Sequence, residues 1–141
     1  MKSSDEGAAL GIGALAARFG LATHVLRHWE TMGLLRPARD AGGRRRYGAD
    51  DLARVAEILL YKQAGLGLDT IGSLFAATVD RAARHEILRR EAGRLRARIA
   101  AERASLKFIE SGLNCSYEDQ TRCPNRGRLV AERIAAGPAA R

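Results

Sequence analysis

Between Leu88 and Leu113, seam residues return at alternating steps of four and three: Leu88, Ala92, Leu95, Ile99, Glu102, Leu106, Ile109 and Leu113. All but Glu102 are apolar, and the spacing is a heptad seam on one long helix, expected over Arg81–Leu113. An isolated helix cannot bury such a stripe, so the chain must supply a second surface for it. That surface is either the chain's own head or another copy of the chain, and the regularity of the seam favours another copy. Glu102 either fixes the register of pairing or lies at the edge of the seam. Gly93 weakens the helix locally by about 1 kcal/mol relative to alanine.

Ahead of this helix, Leu21–Tyr47 has the pattern of a helix followed by a basic hairpin. Leu21, Val25, Leu26 and Trp29 share one helical face, leaving Arg27 and His28 on the other. Gly33 stops the helix and Pro37 excludes its continuation. Asp40-Ala41-Gly42-Gly43 is a turn signal, and Arg44, Arg45, Arg46 and Tyr47 follow it. A solvated helix and an ordinary basic turn would show much the same residues. The net charge of +8 over 141 residues, clustered rather than scattered, favours a polyanionic partner instead. The helix would enter a major groove while the hairpin cations rest on phosphates.

Around this stretch the periodicity completes a small head. Leu10–Phe19 reads as a buttressing helix with Ile12, Leu15, Ala16 and Phe19 inward, ended by Gly20. Ala49-Asp50-Asp51 opens a third helix with acids suited to its N-terminus, and Leu52, Val55, Ile58, Leu59 and Tyr61 form its buried face. Leu68–Phe75 forms a fourth helix after Gly65 and Gly67. The expected organisation is a leader at 1–8, a head at 9–77, the long helix at 81–113, a cysteine loop at 114–127, and a terminal helix (Leu129–Ile134) and tail within 128–141. No apolar run approaches the ~20 residues needed to span a bilayer. The polar, acidic start lacks the pattern of a signal peptide, so a cytoplasmic location is expected. No nucleophile–base pair, phosphate loop or carboxylate dyad stands at useful spacing, so an enzyme is not expected.

Four pieces, Ile12-Gly13-Ala14-Leu15-Ala16, Leu26-Arg27-His28-Trp29-Glu30, Met32-Gly33-Leu34-Leu35 and Gly43-Arg44-Arg45-Arg46-Tyr47, together resemble the head of the MerR family of transcriptional regulators in order and spacing. The resemblance implies a mainly α fold: a winged helix-turn-helix head, a long antiparallel coiled-coil dimerisation helix and a C-terminal cysteine loop. It implies a homodimer on double-stranded promoter DNA, distorting an overlong spacer so that RNA polymerase engages both promoter elements. The expected DNA-facing set is Thr23, His24, Arg27, His28 and Trp29 on the helix, and Arg44, Arg45, Arg46 and Tyr47 on the wing. Tyr61 and Lys62 are peripheral contacts by resemblance. Trp29 stands where the family usually has tyrosine, and its indole N–H is expected to take over donation to a phosphate. His24 and His28, one turn apart, lack the further ligand a metal would need, so polar contacts are the expected role.

Cys115 and Cys123 bracket a short polar loop with seven residues between them. Two thiolates so placed can converge on a soft ion such as copper(I) or zinc. The same pair can close as a thiol–disulfide switch, or be two unrelated small hydrophobes. The copper-sensing branch of the MerR family has the same Cys-x7-Cys-Pro loop, and Cys115 and Cys123 match its copper(I) ligands one for one. Divalent-metal branches add a cysteine near the start of the dimerisation helix, and this chain has none there. His85 in that region is a feasible third ligand for zinc or cobalt across a dimer, or a solvent-exposed histidine.

Overall fold

The computed structural model describes residues 9–139, and the expected leader at 1–8 lies outside them. Among the described residues, six helices and one hairpin follow in order: α1 Ile12–Phe19, α2 Thr23–Thr31, β1 Ala38–Arg39, β2 Arg45–Arg46, α3 Ala49–Gln63, α4 Leu68–Ala76, α5 Arg81–Leu113 and α6 Pro124–Ala135, with a 3-10 turn at Gln120–Arg122. The result is a mainly helical, winged helix-turn-helix arrangement with a long helix, as expected. Contacts divide the chain into a head up to Ala92 and a distal unit from Gly93. Among the described residues no helix is long and apolar enough to cross a membrane.

Glycine geometry sets the course of the head. After α2 the N–H of Gly33 bonds to the Glu30 carbonyl and that of Leu34 to the Trp29 carbonyl, with Gly33 at φ +76°. This left-handed residue closes the helix and turns Leu34 and Leu35 into the core. They join Leu15, Ala16, Leu26, Trp29, Val55, Ile58, Ile71 and Leu74 in one buried cluster. Burying several aliphatic side chains and an indole, each worth about 1.5–3 kcal/mol, is what holds three short helices that would not persist alone.

The hairpin β1–β2 is antiparallel, pairing Ala38 with Arg46 and Arg39 with Arg45. Asp40 builds its turn: one carboxylate oxygen accepts from the backbone N–H groups of Gly42 and Arg44, at 2.9 and 3.0 Å. Gly43 supplies the positive φ, +75°, that the turn requires. Leu10 was expected in the first helix but lies outside it. Its backbone exchanges two 2.8 Å hydrogen bonds with Tyr47 instead, which extends the hairpin and delays α1 to Ile12. At the start of α3, the Asp51 carboxylate accepts from the Gly48 N–H at 2.8 Å, so the predicted acidic opening is a working cap.

Two further boundaries differ from expectation. Leu88, the first member of the seam, packs with Ile87 against the head core, so the head reaches into the first turns of α5. The terminal helix begins at Pro124, not Leu129, because proline suits the first helical position, where its missing N–H costs nothing. The cysteine loop is correspondingly shorter. Further along the seam the described residues leave Leu95, Ile99, Leu106, Ile109 and Leu113 38–80% exposed.

Candidate nucleic-acid interface and thiol site

The predicted DNA-facing residues separate into three groups. His24, Arg27 and His28 are exposed on α2, with Thr23 half-buried at its first turn. The wing carries Arg44, 79% exposed at the side chain, and Arg46, 43% exposed. Lys62 is exposed and Tyr61 half-buried, its ring edge-on to Phe75 with centroids 6.5 Å apart. Burial pushes the Tyr61 hydroxyl above the usual tyrosine value.

Trp29 and Tyr47 are placed otherwise than expected. Trp29 is 2% exposed and Tyr47 fully buried, both in the core cluster. Trp29 follows Leu26 by three residues, which puts it on the inner face of α2. Tyr47 faces inward where its backbone pairs with Leu10, and its buried hydroxyl has no hydrogen-bond partner among the described residues. Burial raises its pKa. In this conformation neither side chain is on the surface a phosphate would approach.

Arg45 also departs from the expected role. Its Nε donates to Glu30, whose other carboxylate oxygen accepts from Arg39 Nη2 at 3.0 Å. A residue of α2 thus grips both strands of the wing. Asp40 forms ion pairs with Arg44 at 3.2 Å and Arg46 at 3.4 Å. Sequence reading found the cations and missed the carboxylates that organise them. The Asp40–Arg44 spacing was a visible hint, whereas Glu30 and Arg45 are fifteen positions apart.

The hydrogen bond from Arg45 holds the Glu30 carboxyl below its ordinary 4.5, outweighing the opposing cost of burial, and the charges of Arg45 and Arg39 add to it. A depressed folded pKa gives stability that is fully present above about pH 4.5 and lost as pH falls through the lower folded value. Acid unfolding followed by circular dichroism should therefore be shallower below about pH 4.5 for Glu30→Gln than for the unaltered chain. Equal pH dependence would show that the pair contributes nothing to folding.

In the distal unit, Cys115 follows the end of α5, and Cys123 is the residue before the first turn of α6. Both thiols are free, Cys115 half-buried and Cys123 8% exposed. The backbone N–H of Arg126, the Cys115 thiol and the backbone N–H of Asn125 hold the Cys123 thiol below the ordinary cysteine value against its burial. The interaction stabilises a thiolate at a helix N-terminus. Between the cysteines, Asp119 accepts from the Thr121 N–H at 3.0 Å and from its hydroxyl at 2.6 Å. Those two bonds, the hydroxyl's first, hold the carboxyl below the usual range, so this acid is a turn former. A cavity of about 560 Å³ lies beside the thiols, lined by Lys107, Glu110, Asn114, Cys115, Tyr117 and Cys123 among others.

The donor set suits a soft ion of low coordination number: two free thiols line one cavity, and that of Cys123 is held below the ordinary cysteine value. Among the described residues no three His, Cys, Asp or Glu side chains gather as a metal-binding group. His85, half-buried on α5, belongs to no such group. A tetrahedral zinc centre would need more donors than the two thiols.

Comparison with known proteins gives a consistent picture. Residues 10–78 match the family model described as MerR HTH family regulatory protein. The chain is 32% identical over 115 residues to the HTH-type transcriptional activator TipA of Streptomyces coelicolor, covering 77% of this chain and 46% of TipA. It is 38% identical over 68 residues to a protein of Haemophilus influenzae named as a heavy metal-dependent transcriptional regulator, covering 48% of this chain and 53% of that protein. The chain thus spans about half the length of these relatives. Among solved structures it resembles HiNmlR, a MerR family regulator lacking the sensor domain and bound to promoter DNA. The TM-score there is 0.65 at 22% identity, over 75% of this chain and 88% of that one. It also resembles the HTH-type transcriptional regulator SkgA of Caulobacter crescentus, with TM-score 0.54 at 23% identity, over 91% and 96% of the two chains. At such identities the likeness is one of fold.

Proposed function

This chain belongs, through residues 10–78, to the MerR family of helix-turn-helix transcriptional regulators, and from that premise we propose that it is a homodimeric promoter-DNA regulator switched by a soft monovalent metal ion, copper(I) being the best match. The observation that carries the metal reading is the pair of free thiols lining one cavity, with Cys123 at the N-terminus of α6. Bound there, the ion would supply two strong metal–thiolate bonds linking the end of α5 to the start of α6. The chain's own residues do the rest. The N–H groups of Arg126 and Asn125 favour the thiolate, and Asp119 shapes the turn between the ligands.

The uncovered seam from Leu95 to Leu113 is the surface for a second copy. Two heads held by such a seam would read the two halves of a near-palindromic operator. Exposed His24, Arg27 and His28 approach base edges and phosphates, and Arg44, Arg46 and Lys62 approach the backbone. Promoter activation requires that the ion bind one dimer conformation better than the other, because only that difference shifts the equilibrium. The favoured conformation would deform the promoter for RNA polymerase, a distortion costing on the order of 1–6 kcal/mol.

Anaerobic competition of copper(I), silver(I) and zinc(II) for the reduced chain, against calibrated chelators, tests the effector. One tightly held monovalent ion per chain and weak zinc are expected. Preferred zinc binding that disappears in His85→Ala would replace this reading with a divalent site. A second reading, a redox switch, draws on the same two free thiols at one cavity, since neighbouring thiols can close as a disulfide. Absence of tight metal binding together with peroxide-induced loss of both thiols would favour it.

A further inference from the structure

The wing contains two classes of arginine. Arg44 and Arg46 pair with a half-buried Asp40 through their own exposed side chains, and pairs open to solvent on one side are weak and yield readily to a phosphate. Arg39 and Arg45 instead converge on Glu30, one on each carboxylate oxygen. Here Arg45 and Glu30 are 25% and 23% exposed, while Arg39, at 45% as open as Arg46, is held by its hydrogen bonds rather than by burial. Arg39 is tied a second time, its Nη1 donating to the Gly43 carbonyl at 3.1 Å. These bonds connect the last turn of α2 to β1, β2 and the tip of the hairpin.

We propose that Glu30 is a positioning residue for DNA binding, coupling the wing to the recognition helix and withholding Arg39 and Arg45 from the phosphate backbone. The inference rests on the DNA-binding reading above. Its physical consequence is discrimination. Affinity that ignores sequence rises with the number of phosphates neutralised, whereas base readout depends on where the recognition helix is held. A carboxylate that removes two cations from the first and fixes the geometry of the second improves the ratio between them.

The test is the salt dependence of binding to a fluorescent random-sequence duplex of about 30 base pairs, comparing the full chain with Glu30→Gln, Arg45→Gln and Arg44→Gln. Circular dichroism at each salt concentration establishes that every variant is folded. Each released arginine that reaches a phosphate steepens the log–log slope by about 0.9, or about 3.5-fold more affinity lost between about 50 and about 200 mM salt. Glu30→Gln is expected to show a steeper slope and tighter binding at low salt. Arg45→Gln should leave the slope unchanged, and Arg44→Gln should reduce it by about 0.9. A merely structural role for Glu30 would weaken binding without steepening the slope. An unchanged slope in Glu30→Gln, or an Arg45→Gln loss equal to that of Arg44→Gln, would overturn the proposal. If the unaltered chain itself shows no salt-dependent binding, the DNA-binding reading fails, and this inference fails with it.

Discussion

Replacing Trp29 by alanine is expected to destabilise the head by about 3–5 kcal/mol, the usual cost of emptying a large aromatic site in a packed core. A small domain has on the order of 5–15 kcal/mol in total, so the melting temperature should fall by on the order of 10–30 °C. The side chain is 2% exposed and lies in the cluster joining α1, α2, α3 and α4. Loss of duplex binding would follow from loss of the fold. Trp29→Phe separates this from a direct contact, because it keeps most of the ring and removes the indole N–H. Thermal melts and random-duplex affinity should show a modest stability loss of roughly 1–2 kcal/mol, with affinity within about twofold once the protein is folded. A fully stable Trp29→Phe that binds about tenfold more weakly would mean that the indole donates to a phosphate and that Trp29 leaves the core in the complex.

The same residue shows what was legible in the sequence. Its spacing from Leu26 placed it on the apolar face of α2, and the core confirms that placement. Assigning it a phosphate as well came from family resemblance, and one side chain cannot serve both surfaces at once. Helices α1 to α5 were readable because each carries apolar residues at a helical period, and α1, α2 and α3 end at glycine turn signals as well. What escaped was set by partners distant in sequence. Leu10 has helix-compatible neighbours but pairs with Tyr47, thirty-seven positions on. Arg45 looks like any other cation of its cluster until Glu30 is folded beside it. Leu88 fits the seam by period, yet the head core takes it. At the thiols the spacing was plain, but the surroundings of Cys123 were not, because Pro124 read as part of the loop at 114–127 when it is the first residue of α6.

Because α6 starts there, the Cys123 thiol should titrate below the ordinary cysteine value, and both cysteines should be necessary for a metal. Cys115→Ser and Cys123→Ser are each expected to lower copper(I) or silver(I) affinity by at least about a thousandfold, or roughly 4 kcal/mol, since a hydroxyl is a poor ligand for a soft ion. His85→Ala should leave monovalent affinity unchanged. The Cys123 thiol is held down first by the Arg126 N–H. Its thiolate therefore persists below the ordinary value of 9.0, and monovalent-ion affinity should weaken as pH falls through the depressed value. The same sign applies to folding: the contribution is fully present above about pH 9.0 and is lost on acidification through the folded pKa. Because the leading donor is a backbone group, Arg126→Ala should preserve most of the effect, whereas Arg126→Pro, which lacks that N–H, should raise the Cys123 pKa. Alkylation rates of Cys123 in a Cys115→Ser background, measured across pH, report the shift directly. An Arg126→Pro profile that coincides with that of the parent would mean that the helix N-terminus does not tune this thiol. Tight monovalent binding retained in both single serine variants would remove the thiol pair as the metal site altogether.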